Sequence, residues 1–339
     1  MTSTDTPENP GSPDPALPAA PGAAPGAAPT MLALRQTALG GPEVLRPTRL
    51  PRPAPGPGEI LVAVHAAGLN PTDVKHRALS IFLPPPPLTL GWDVSGTVVE
   101  TGFGVTLFEP GDEVFGMLPY PHGAGSHAEY VTGPTRAFVA KPAEIDHVQA
   151  AALPLAALTA WQALVETAGL EAGQRVLIHA AAGGVGHLAV QIAKARGAHV
   201  TGTATAAKHD FLRALGADAC VDYRSEDFTD TAERYDIVLD SLGGENATRS
   251  VGVLRPGGVL VSLLPGAEDT AAAAEKARVR AVTLIVEHDQ AGMRALADLV
   301  RRGSLRAHVS DTVPLAEGAR AHALSETNRT VGKLVLTVR

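Results

Sequence analysis

The chain has 339 residues, of which 45% are hydrophobic and 19% charged, enough for two domains with their own cores. A net charge of −7, without any lysine- or arginine-rich run, argues against nucleic acid or an anionic membrane as partner. No apolar run reaches the length of a membrane span, and the single cysteine, Cys220, leaves no disulfide framework and no four-cysteine zinc site.

Residues 1–30, rich in Pro, Ala and Gly, carry too little apolar surface to offset their ordering entropy and are expected to form a disordered tail. They lack the basic and apolar regions of a signal peptide, so the cytoplasm is the expected compartment, and Met31 offers an alternative start. From 31 to 155, short strands between turns, among them 59–66, 97–100 and a third after Pro110-Gly111, predict a compact β-barrel-like domain. The alanine-rich stretch 150–167 predicts a helix leading out of it. Strands are then predicted at 176–178, 200–203, 218–223, 236–240 and 258–263. They alternate with helices after Val185 and at 211–216, 245–254 and 271–277, the pattern of a parallel sheet with crossover helices. The stretch 279–286 reads as a strand able to pair across a dimer edge, and 293–302 as an amphipathic helix. Strands at 308–314 and 333–338 are expected to return to the first domain.

Between the strand at 176–178 and its helix lies a turn of small residues, 180–184. In the dinucleotide-binding pattern the second glycine lets a pyrophosphate approach the backbone, and the third lets helix and strand pack closely. Gly183 and Gly186 fill those places, with Gly184 and Val185 between them, Ala182 before them, and Ala181 where the first glycine is usual. Free N–H groups at the helix start then face an anion, aided by the helix dipole. A purely structural tight turn is the competing reading. At the end of the next strand an NAD site places Asp or Glu for the ribose 2′-hydroxyl. Here Thr203, Thr205 and Lys208 occupy that place, with no carboxylate before Asp210, which suits a 2′-phosphate and hence NADP(H). A solvated lysine at a helix start is the alternative.

Further segments extend the pattern in order along the chain: AAGLNPTDVK at 66–75, LGWDVSG at 90–96, PGDEV at 110–114, GSHAEYV at 125–131, LTAW at 158–161, DSLG at 240–243 and GKLVL at 332–336. With them the sequence resembles the medium-chain dehydrogenase/reductases, in the zinc-independent quinone oxidoreductase (zeta-crystallin-like) branch. The resemblance implies an α/β architecture and a homodimer. A GroES-like β-barrel catalytic domain at 31–155, completed by 289–339, would flank a doubly wound Rossmann NADP-binding domain at 156–288, with the active site in the cleft.

Zinc-dependent members place their ligands at positions matching Asn70, Trp92, Asp93 and Leu155. Only Asp93 is a ligand type, whereas catalytic zinc takes three protein ligands, so no metal is expected. His122 and His127 lack a third ligand and read as polar surface. Without a Lewis acid a simple ketone accepts hydride poorly. A quinone or an α,β-unsaturated carbonyl spreads the incoming charge onto oxygen, so that a hydrogen bond and a proton suffice. By position, Asn70 is the implied catalytic donor, facing the nicotinamide. Thr159, Tyr223, Ser241, Leu242, Leu263, Leu264 and Lys333 are implied cofactor contacts, and Lys75, Phe82, Trp92 and Tyr120 are expected around the substrate. A turn before Pro71 and a helix back-bond are the competing readings of Asn70 and Thr159. An NADPH-binding protein without turnover, or a residual zinc alcohol dehydrogenase, are the rival functions.

Overall fold

The computed structural model describes residues 29–339; the tail expected at 1–30 lies, up to residue 28, outside the described residues, and Thr30 already opens the first strand. Strands β1 (Thr30–Gln36) and β2 (Leu45–Pro51) form a hairpin not foreseen from the sequence, to which the short β4 (Leu88–Thr89) adds. The main sheet of this part is built on β3 (Glu59–Leu69), whose side chains are buried on both faces. That is why its sequence is nearly continuous Val, Ala and Leu rather than alternating. One edge of β3 pairs with β5 (Asp93–Thr101), which carries β6 (Glu113–Met117) and then β8 (Phe138–Ala140). The other edge is shared by β7 (Tyr130–Pro134) and a strand from the far end of the chain.

The second sheet is parallel throughout: β9 (Arg175–Ile178), β10 (His199–Ala204), β11 (Ala219–Asp222), β12 (Tyr235–Asp240), β13 (Leu254–Ser262) and β14 (Arg280–Thr283) lie in the order β11-β10-β9-β12-β13-β14. The order reverses between β9 and β12, which places a crevice at the carboxyl ends of those strands. The chain then returns: β15 (Val309–Pro314) pairs in parallel with β16 (Lys333–Thr337), and β16 pairs antiparallel with β3. This is a GroES-like barrel joined to a Rossmann sheet.

Nine α-helices connect the strands of the described residues: α1 (Pro71–Ala78), α2 (His147–Ala151), α3 (Pro154–Trp161), α4 (Gly186–Ala195), α5 (His209–Ala214), α6 (Gly244–Val251), α7 (Thr270–Ala277), α8 (Gln290–Arg301) and α9 (Gly318–Glu326). The helix expected at 150–167 is broken at Ala152 and Leu153. The one expected at 245–254 stops at Val251, because Leu254 already pairs with Tyr235. Neither α1 nor α9 was foreseen; both are short, and α1 mixes polar and charged residues around its axis. Arg77 joins them, its buried guanidinium reaching Glu326 and the carbonyl of Gly40. No described helix is long and apolar enough to cross a membrane.

The turn after β9 is tight for a steric reason. A Cβ on Gly186 would fall 2.5 Å from the carbonyl oxygen of Ala180 and 2.7 Å from Cα of Ala181, both backbone atoms that cannot yield. Ala180 takes φ 48°, a left-handed conformation that costs an L-residue roughly 1–2 kcal/mol. Strain of this kind persists where the surrounding structure imposes it, commonly beside a functional site.

Candidate active site

Two adjoining cavities lie between the sheets. The first, about 420 Å³, is lined by Asn70, Leu155, Gly184, Val185, Gly186, Ser241 and Lys333, among others. The second, about 370 Å³, is lined by His179, Ala182, Thr203, Thr205, Lys208, Tyr223 and Asn246. Ala180, Gly183, Leu242, Asn328 and Thr330 belong to both walls, so the cavities meet over the glycine turn. One crevice is thus built by the end of β3 with Pro71, the start of α3, the strand ends and α4 of the parallel sheet, and the stretch from Ser325 to Leu334.

At the deep end sits a buried polar cluster. The Nδ2 of Asn70 donates to Oδ2 of Asp93 at 2.9 Å, and the backbone N–H of Leu155 donates to Oδ1 of Asp93 at 2.7 Å. Lys333 Nζ donates to the carbonyl of Leu69 at 3.0 Å and to Oδ1 of Asn70, and lies 3.5 Å from Asp93 Oδ2. The backbone N–H of Asn70 donates to Asp73 at 2.7 Å and so opens α1. Burial pushes the Asp73 carboxyl up to about 7, against the pull of the Asn70 N–H. Burial likewise raises Asp93 and lowers Lys333, and the attraction within the pair opposes both shifts.

A zinc ion does not fit this donor set. Asp93 is the one anionic side chain among the four matching positions, Trp92 and Leu155 offer no ligand atom, and the ammonium of Lys333 already stands beside the carboxylate. Among the described residues no group of three or more His, Cys, Asp or Glu gathers elsewhere as a metal site. His127, read as surface, is fully buried and packs edge-on against His322 at 5.9 Å.

At the shallow end Lys208 and Tyr223 flank the cavity with Thr205. Thr203 is buried and its hydroxyl lies 3.2 Å from His179 Nδ1 and accepts from the N–H of Ala180, so it braces the turn from below. His187 ties α4 down. Its Nδ1–H donates to the Gly183 carbonyl at 2.8 Å, and its Nε2 accepts from the N–H of His308 at 3.1 Å.

Several residues singled out from the sequence lie elsewhere. Thr159 lines neither cavity; its hydroxyl donates to the Leu155 carbonyl at 2.7 Å, the back-bond of the competing reading. Leu263 and Leu264 also stand off both walls, since β13 ends one residue earlier and Gly243 closes against Leu264. Lys75 is exposed on α1. Phe82, Trp92 and Tyr120 do not line the cavities but gather round His76: the Phe82 and Trp92 rings lie 5.7 and 5.3 Å from the imidazole, and the Tyr120 hydroxyl bonds Thr72 at 3.0 Å. Conversely, Asn328 and Thr330 were not foreseen. Asn328 holds φ 54°, a left-handed turn that asparagine tolerates, and the polar run before Gly332 was the one sequence signal for them.

The comparisons agree with this geometry. The sequence matches the family model of the alcohol dehydrogenase GroES-like domain over residues 56–143 and that of the zinc-binding dehydrogenases over 215–336. It is 33% identical over 313 residues to the chloroplast envelope quinone oxidoreductase homolog of Arabidopsis thaliana, covering 88% of this chain and 95% of that protein. It is 41% identical over 222 residues to the mitochondrial NAD(P)H oxidoreductase RTN4IP1 of Danio rerio, spanning 59% of this chain but only 57% of the relative's length. The quinone oxidoreductase structure from Coxiella burnetii superposes with a TM-score of 0.86 at 38% identity, over 92% of this chain and 100% of that one. A two-domain protein with a dinucleotide-type crevice between a GroES-like barrel and a Rossmann sheet is thus the class defined by fold and site. The chain belongs to the medium-chain dehydrogenase/reductase superfamily, in its quinone oxidoreductase branch.

Proposed function

We propose that the protein is an NADPH-dependent oxidoreductase that passes hydride to a quinone or an α,β-unsaturated carbonyl without zinc. The observation that carries this reading is the run of two adjoining cavities from Asn70 and Lys333, over the glycine turn, to Thr205, Lys208 and Tyr223. That run suits an extended dinucleotide, and the residues fit one. The N–H groups opening α4 receive the diphosphate, Ser241 and Leu242 flank the nicotinamide end, and Lys208 with Thr205 and Tyr223 takes a 2′-phosphate. The cofactor, when bound, supplies the hydride chemistry.

What the chain adds is orientation and one donor. Nδ2 of Asn70 carries two protons, of which Asp93 takes one; the other is available to the substrate oxygen as charge builds there. The catalytic unit in this reading comprises residues 31–155 and 289–339, and the cofactor unit 156–288. The proposed working form is a cytoplasmic homodimer joined at the outer edge of β14, the last strand of the parallel sheet. Light scattering reads its mass, and a monomer at micromolar concentration removes that contact.

The test of the whole reading is NADPH oxidation, followed at roughly 340 nm, with a panel of quinones and enones. Lys208→Ala is expected to weaken NADPH by about 10- to 30-fold and to leave NADH unchanged, because only the former carries the phosphate that the ammonium meets. Equal loss for both nucleotides contradicts the role given to Lys208.

A further inference from the structure

Three protein oxygens surround the Lys333 ammonium. Nζ donates to the Leu69 carbonyl and to Oδ1 of Asn70, and its third neighbour is Asp93 Oδ2. Lys333 is 3% exposed, and only its side-chain stem approaches the glycine turn, Cδ lying 3.4 Å from where a Cβ on Gly184 would be. The ammonium is thus turned to the protein rather than to the open part of the cavity.

Its effect falls instead on Asn70. The amide is held at both ends, its oxygen by a cation and its nitrogen by Asp93. A cation on the oxygen draws electron density from the nitrogen and makes the remaining N–H a stronger donor. A freely rotating asparagine could also turn its oxygen toward the cavity and repel a developing oxyanion; this grip forbids that flip.

We infer that Lys333 is a positioning residue for the reductase: paired with Asp93, it fixes and polarises the Asn70 amide so that one Nδ2–H is presented to the conjugated carbonyl oxygen of the substrate. This inference rests on the reading in the preceding section. It assigns to an internal ion pair the electrostatic part that a Lewis-acid metal plays in metal-dependent carbonyl reduction.

Lys333→Met removes the charge and the donors. Lys333→Gln keeps an N–H for Asn70 and Leu69 and protects the fold if Met does not. The expected kcat falls by about 10- to 100-fold in the Met variant and by less in the Gln variant, with the NADPH dissociation constant within about threefold of wild type. A second readout needs no turnover. 4-Nitrophenolate, an oxyanion, is titrated into the protein and followed by its absorbance, and its affinity is expected to follow the order wild type, Gln, Met. Equal phenolate affinity in all three proteins, no phenolate binding to wild type, or a loss of NADPH affinity in parallel with kcat overturns the inference. If none of the quinones or enones supports NADPH oxidation by wild type while phenolate affinity keeps the expected order, the proposed reductase activity fails and the role of Lys333 toward Asn70 stands.

Discussion

Replacing Asn70 with alanine is expected to lower kcat by roughly 100- to 1000-fold while leaving NADPH binding within about threefold. The side chain touches the crevice at its deep end, and the proposed role gives its second amide proton to an oxygen that becomes anionic only as hydride arrives. Such a contact is stronger in the transition state than in the ground state, so its loss appears in kcat. The variant is expected to fold. The bond from the residue 70 N–H to Asp73 belongs to the backbone, and Lys333 and Asp93 remain to pair with each other. The lost side-chain bonds cost about 1–3 kcal/mol of stability. Single-turnover mixing with a quinone, alongside a fluorescence titration of NADPH, separates the two quantities. A kcat within threefold of wild type removes Asn70 from the chemistry.

The fold itself is expected to be acid-sensitive. Burial depresses His127, His179 and His187 to about 4 and His322 to about 2, from an ordinary 6.5. The geometry agrees with neutral rings. His187 must accept at Nε2 from the His308 N–H, and a proton there would abolish the tie between α4 and the returning chain. His127 and His322 pack edge-on at 5.9 Å, and among the described residues neither nitrogen of His322 has a hydrogen-bond partner. Unfolded, each ring protonates near 6.5; folded, it resists until about 4 or below. The unfolded state therefore binds more protons in that interval, and stability is full above about 6.5 and falls as pH drops toward 4.

Asp73 works the other way. Its folded carboxyl protonates near 7 rather than 3.8, so its contribution is complete at low pH and is lost as pH rises through 7. The four imidazoles outweigh the Asp73 carboxyl, and His65, His76 and His147 are lowered by burial as well, so stability is expected to fall between about pH 7.5 and about pH 4.5. Urea unfolding midpoints across that range measure it, and a flat series would contradict the burial argument.

The elements that periodicity controls were legible. The switch from a short apolar strand to a helical stripe between Arg175 and Ala195, with Gly186 where a Cβ has no room, foretold the turn that both cavities share. So did the apolar runs at 59–66 and 236–240, which became β3 and β12. Side-chain direction in loops was not legible. Trp92 stands next to Asp93 in sequence and Tyr120 lies in the loop before β7, yet both rings pack against His76, at 5.3 and 6.4 Å. Spacing carries no information about that packing. Thr159 sits on a helix where its hydroxyl can reach the carbonyl four residues back, and this local bond was at hand whatever the cofactor needed. In the sequence Asp93 reads only as a metal ligand. Its pairing with Asn70 and Lys333 depends on β5 and β16 flanking β3, which no single segment announces.

The hydrogen bond between Lys333 and Asn70 joins residues 263 positions apart. Contacts so remote in sequence form only after long stretches of chain have been gathered together, late in folding. In a refolding experiment, compaction and helix signals should therefore recover before catalysis does. Regained turnover is then a clock for the final seam of the molecule, where β16 closes onto β3.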